Sequence, residues 1–120
     1  MTGLTMLLDL HDCKSPVLGN ETMLEQLLVS ALQIAGLTVV DQLSHRFPAQ
    51  GARVLCVLRE GHAALHTQPG AGAVAADVML LGAPEAARAA LEIVRGYLAQ
   101  KLIARSVQAR VIERGTNGGA

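Results

Sequence analysis

Between Leu37 and Leu81 the chain offers four extended runs joined only by short turns, and this stretch constrains the fold more than any other. Leu37 to Phe47 reads as extended and ends in the turn F-P-A-Q-G. Arg53 to Glu60 carries the strongly β-prone run V-L-C-V-L. His62 to Gln68 alternates and continues as strand, P-G-A-G turns the chain again, and Val74 to Leu81 is strand-like. Strands linked this closely pair mostly antiparallel, because a parallel crossover needs a dozen or more residues.

Helical periodicity flanks this block. Asn20 is a good N-cap, and Met23, Leu24, Leu27, Leu28, Ala31 and Leu32 follow at helical spacing, with Gly36 as the stop. Pro84 suits the first turn of a second helix, which puts Ala87, Ala90, Leu91, Val94 and Leu98 on one face. On its other face Arg88 is expected to meet Glu85 and Glu92. A strand from Leu4 to Leu10 comes first, followed by a turn-rich link from Asp12 to Gly19. A strand from Ser106 to Arg114 comes last. The order β-α-β-β-β-β-α-β predicts an α+β, two-layer α/β sandwich: one mainly antiparallel sheet with both helices on one face. Its other face is rich in runs such as V-A-A-D-V-M-L-L, poor candidates for full exposure. A homodimer that buries part of that surface is therefore expected.

At 120 residues the chain fits one domain, read as 1–115, with a disordered tail at 116–120. Apolar residues make up 51%, but aromatics only 2%, so Leu, Val, Ile and Ala must build the core. Ten acidic and ten basic side chains balance, which leaves no basic footprint for nucleic acid or an anionic membrane. The opening M-T-G-L-T-M-L-L-D-L lacks a basic segment and is broken by Asp9, and no apolar run approaches membrane-spanning length. These features read as a cytoplasmic protein. Cys13 and Cys56 read best as small buried apolar residues, since sequence alone does not bring them within bonding distance.

Several constellations invite chemistry. His62 and His66 would share a metal ion on a helix, but on a strand they stand roughly 13 Å apart at ~3.3 Å per residue. No metal site is therefore expected. G-A-G-A at Gly70 to Ala73 lacks the Lys-Ser/Thr of a phosphate loop and precedes a strand, so it reads as a hairpin turn. Ser44 and His45, near Asp41, point to opposite faces of a strand and cannot easily pair. Arg110 and Arg114 read as solvated surface charges.

The order of elements, together with particular residues, resembles the small bacterial and archaeal S-adenosylmethionine decarboxylases, pyruvoyl enzymes of polyamine synthesis. The likeness runs from L-L-D-L-H-D-C at Leu7 to E-R-G at Glu113 and is densest between Phe47 and Gly82. F-P-A-Q-G resembles the family's F-x-P-x-G, E-G-H-A-A-L-H-T-Q-P its E-S-H-x-x-I-H-T-W-P, and A-A-D-V-M-L-L-G its A-x-D-x-F-T-C-G. Glu60, His62, His66, Thr67, Pro69, Asp77 and Gly82 fall at matched spacing. The resemblance implies a dimerising two-layer sandwich and a spermidine-pathway ancestry.

It also implies a departure in chemistry. The family's serine after the glutamate attacks the preceding carbonyl, and β-elimination then turns it into the pyruvoyl group that serves as electron sink. Gly61 stands there, with neither a hydroxyl nor a β-carbon. The family's proton-donating cysteine falls on Leu81, and its processing Ser or Thr on Arg53. The Trp after H-T falls on Gln68, the acidic residue two further on falls on Gly70, and the tyrosine before A-x-x-D falls on Ala73. The expectation is a pseudoenzyme with no pyruvoyl cofactor, acting as a binding or regulatory subunit. Its partner would be a second copy or, as in some distant relatives of the family, an active paralogue. Its ligand cleft would be formed by Glu60, His62, His66 and Gln68, with a small amine or nucleoside as occupant. The alternative is a living enzyme that avoids the pyruvoyl route, with His62 or His66 as acid-base group and Glu60 as partner.

Overall fold

The computed structural model describes residues 2–115, and the element order matches the sequence reading. The strands are β1 (Thr2–Cys13), β2 (Val39–Phe47), β3 (Gly51–Leu58), β4 (Gly61–Gln68), β5 (Ala73–Leu81) and β6 (Ala104–Gly115). The helices are α1 (Glu21–Ile34) and α2 (Pro84–Lys101), with one 3-10 turn at Pro69–Ala71. The tail expected at 116–120 lies outside the described residues.

The six strands form one sheet in the order β2-β3-β4-β5-β1-β6, and each neighbouring pair is antiparallel. The two helices pack side by side on one face, α1 over β2 and β3, α2 over β1, β5 and β6. This is the expected α+β two-layer sandwich. Period-two alternation sets which side chains reach the helices. Leu4, Met6, Leu8 and Leu10 of β1, Val54 and Cys56 of β3, Ala63 and Leu65 of β4 and Val74, Ala76, Val78 and Leu80 of β5 are all buried there. They meet Leu24, Leu28 and Leu32 of α1 and Leu91, Val94 and Leu98 of α2 in one core cluster.

Local chemistry explains the helix ends. The Asn20 side-chain oxygen accepts a hydrogen bond from the Met23 N–H at 3.0 Å, satisfying one of the free donors of the first turn. Gly36, at φ 85°, follows the end of α1. The buried face of α2 is the one read from spacing: Ala87, Ala90, Leu91, Val94 and Leu98. Its surface pairing differs from expectation. Glu92 bonds Arg95 at 2.6 Å, with the acidic residue N-terminal to its basic partner as the helix dipole favours, and Arg88 pairs with neither Glu85 nor Glu92 among the salt bridges of the described residues.

The register sorts the uncovered face into cross-strand rows. One row runs His45, Arg53, His66, Ala75, Asp9, Gln108. The next runs Leu43, Leu55, Ala64, Asp77, Leu7, Arg110, and the third Asp41, Val57, His62, Met79, Thr5, Ile112. Arg114 is not purely a solvated charge: its Nη1 donates to Thr5 Oγ1 at 3.1 Å.

Candidate functional site

Arg59 and Glu60 form the tip of the β3–β4 hairpin, and three hydrogen bonds fix it. The Arg59 N–H donates to the Thr38 carbonyl at 3.0 Å. The Thr38 N–H donates to Glu60 Oε1 at 3.0 Å, so this carboxylate caps the link between α1 and β2. The Leu81 N–H donates to the Glu60 carbonyl at 2.7 Å, which ties that oxygen into the sheet. Gly61 then pairs with Leu80. A Cβ added at Gly61 would stand 1.8 Å from the Met79 carbonyl oxygen and 2.8 Å from its carbon, so the two backbones approach at a distance only glycine permits.

The next hydroxyl along β4 is engaged elsewhere. Thr67 is buried, donates to the Leu18 carbonyl at 2.6 Å and accepts from the Ala52 N–H at 3.0 Å. It ties β4 to β3 and to the link before α1. His62 and His66 both lie on the uncovered face, where His62 stands between Val57 and Met79 and His66 between Arg53 and Ala75. Ser44 and His45 take opposite faces, beside Val54 and Arg53 respectively. Among the described residues no three His, Cys, Asp or Glu side chains converge as a metal-ion set.

The residues expected to share one cleft do not all meet. Glu60 and Leu81 line a small hollow of about 210 Å³ between the end of α1 and the start of α2, half of whose lining residues are alanines. Arg53, His66 and Gln68 line a hollow of about 450 Å³ at the opposite end of β4. His66 and Gln68 also border a third, of about 190 Å³, with Asp9 and His11. Glu60 lies at the hairpin tip just before β4 and His66 near its far end, six residues on, roughly 20 Å by strand rise. Sequence reading missed Phe47, whose ring lies 4.3 Å beneath the Arg53 guanidinium and 4.6 Å from the His45 ring. The lone aromatic near a cationic position was the only signal.

Cys13 and Cys56 are both buried free thiols. Burial, with a smaller push from the Glu25 carboxylate, raises the Cys56 thiol to about 11. Burial and the neighbouring Asp12 raise Cys13. Both changes favour the neutral thiol, as fits small core residues.

The sequence model of the family described as S-adenosylmethionine decarboxylase matches residues 4–115. The chain belongs to the S-adenosylmethionine decarboxylase family. An S-adenosylmethionine decarboxylase proenzyme of Prochlorococcus marinus (strain MIT 9313) is 35% identical over 101 residues, 84% of this chain and 81% of that protein. One of Synechococcus sp. (strain WH7803) is 37% identical over 82 residues, 68% of this chain and 64% of its own length. The crystal structure of the adenosylmethionine decarboxylase from Aquifex aeolicus superposes with a TM-score of 0.83 at 26% identity, covering 98% of this chain and 94% of that one. Family membership and fold therefore agree with the likeness read from the motifs. No helix among the described residues is long and apolar enough to cross a membrane.

Proposed function

We propose that this chain is a non-processing member of the family, a pseudoenzyme that acts as a binding or regulatory subunit. One observation carries the reading: glycine stands at position 61, where the family's processed serine is aligned by the motif E-G-H-A-A-L-H-T. Self-processing needs an alcohol to attack the preceding carbonyl and a β-carbon from which to eliminate, and Gly61 has neither. The residues present do not fit a pyruvoyl group. The Glu60 carbonyl is held by the Leu81 N–H, and the space beside Gly61 is filled by the Met79 peptide. Leu81, at the position of the family's cysteine, has no proton to give.

The Prochlorococcus and Synechococcus relatives are called proenzymes; this chain, on our reading, stays uncut. The alternative of acid–base chemistry by His62 or His66 with Glu60 is less favoured, since Glu60 bonds Thr38 and no hydrogen bond joins it to either imidazole among the described residues. Glu60 also stands at the far end of β4 from His66. The partner is a second copy or an active paralogue, either of which would cover the open sheet face.

Intact-mass spectrometry of the purified protein tests the reading. A single chain near 12.5 kDa is expected. A fragment beginning at residue 61, blocked at its terminus and reactive toward hydrazine or borohydride, would overturn it.

A further inference from the structure

The hollow of about 450 Å³ at the far end of β4 carries charge of one sign. Its lining includes Arg53, His66, Gln50 and Gln68, all bearing N–H donors, and contains no Asp or Glu. The Arg53 guanidinium lies 4.3 Å over the Phe47 ring centroid. The salt bridges found among the described residues join Lys14 and Arg105 to Asp12, and Arg95 to Glu92; Arg53 takes part in none. Stacking holds a guanidinium by its face and leaves the N–H fork at its edge available, the arrangement that suits bidentate binding of a carboxylate or phosphate. His66 is the direct cross-strand neighbour of Arg53, so their β-carbons stand ~5 Å apart on one face. The nearest acidic residue in that row, Asp9, lies beyond Ala75 and borders the separate smaller hollow instead.

We infer that this hollow binds the oxyanion of a small organic acid or phosphate ester, with Arg53 as the bidentate anchor and His66 and Gln68 as its neighbours. The inference rests on the reading of this chain as a binding subunit and narrows its ligand. The sequence alone pointed to an amine or a nucleoside. A cationic amine is repelled at Arg53, whereas a carboxylate or phosphate is drawn to it. The anchor departs from the Ser or Thr that the family resemblance implies at position 53, which would supply no fixed charge.

The test is NMR of the full chain, following the Arg53 Nε–H and the His66 ring. Inorganic phosphate and propionate are titrated separately at an ionic strength matched with sodium chloride. Saturable shifts at both residues are expected with at least one anion, and the anion that saturates identifies the source of the oxyanion. R53Q should weaken that binding at least about tenfold, as loss of a charge-assisted pair requires. R110Q, which removes the same charge from the same face outside the hollow, should leave it unchanged. Shifts that rise linearly, that sodium chloride reproduces, or that survive R53Q would overturn the inference. The mass of the same sample separates the two readings. An uncut chain that fails to bind either anion overturns only the oxyanion site, and a cut chain overturns the pseudoenzyme reading whatever it binds.

Discussion

At Gly61 a missing side chain meets missing space. If only the hydroxyl had been lost, restoring it would restore chemistry. The Met79 carbonyl, 1.8 Å from where a Cβ would sit, argues otherwise. Backbone atoms cannot swing aside as a side-chain tip does, so β4 or β5 must shift to admit even one carbon. Gly61→Ser should therefore give an uncut chain destabilised by about 1–3 kcal/mol, the usual cost of overpacking. Urea unfolding and intact mass read both effects, and cleavage between Glu60 and the new serine would show that the site had stayed open. The identity of Gly61 was plain in the sequence. The closure around it was not, because it depends on how near β5 passes, which is a matter of register. The same holds for Glu60. Its motif position marked it as a site residue, yet its carboxylate caps the Thr38 N–H across 22 positions of sequence, a contact no local pattern encodes.

Elements were legible where a period is long and uninterrupted. The five residues spaced along α2 that read as its inner face are the ones buried. The four strands β2 to β5 fell within a few residues of where alternation put them, because side chains on a pleated strand can satisfy only one face at a time; the hairpin turn at Arg59 and Glu60, which reads as strand from the sequence, carries no Gly, Pro or Asn to mark it. The rows across the sheet were not legible. Arg53 between His45 and His66, with Phe47 against its guanidinium, follows from two pairings at once, and β2 shifts register between Val39 and Asp41. The joints between elements were hidden too. Ile103, between α2 and β6, has φ 53° and is 52% exposed, although β-branched residues avoid that region strongly. The strained turn is held by Leu102 beside it, which is fully buried. Relief of strain should outweigh the little apolar area that Ile103 buries. Ile103→Gly should then raise stability by about 1 kcal/mol, given a left-handed cost of ~1–2 kcal/mol. Thermal unfolding of the two proteins measures it, and a lower melting temperature in the variant would mean that the Ile103 side chain packs more than its exposure suggests.

Across the whole molecule, one face of the sheet is closed by helices and the other is open. On that open face Leu43 is 62% exposed, Leu55 47% and Val57 55%, and the register groups them on β2 and β3 with Ala64 and Met79 close by. Adjacent exposed apolar residues of this size are what the proposed partner would cover. The chain carries no net charge, so two copies do not repel at long range. A two-fold pair can cover the patch with itself. The charged row of Arg53 and His66 lies beside the leucine row, toward the end of the sheet where the hollow of about 450 Å³ opens, so an interface centred on the leucines would border that hollow. Leu55 is the sharpest probe, because it is central to the patch and its side chain plays no part in the helix-facing core. Leu55→Glu should leave the helical signal intact while moving the protein from dimer to monomer in sedimentation, with a dissociation constant raised about 100-fold by an uncompensated carboxylate in an apolar contact. A wild-type protein that sediments as a monomer at micromolar concentration would remove the second copy as the covering partner and leave an active paralogue as the molecule to seek. A variant that dimerises as tightly as the wild type would move the interface off this face altogether.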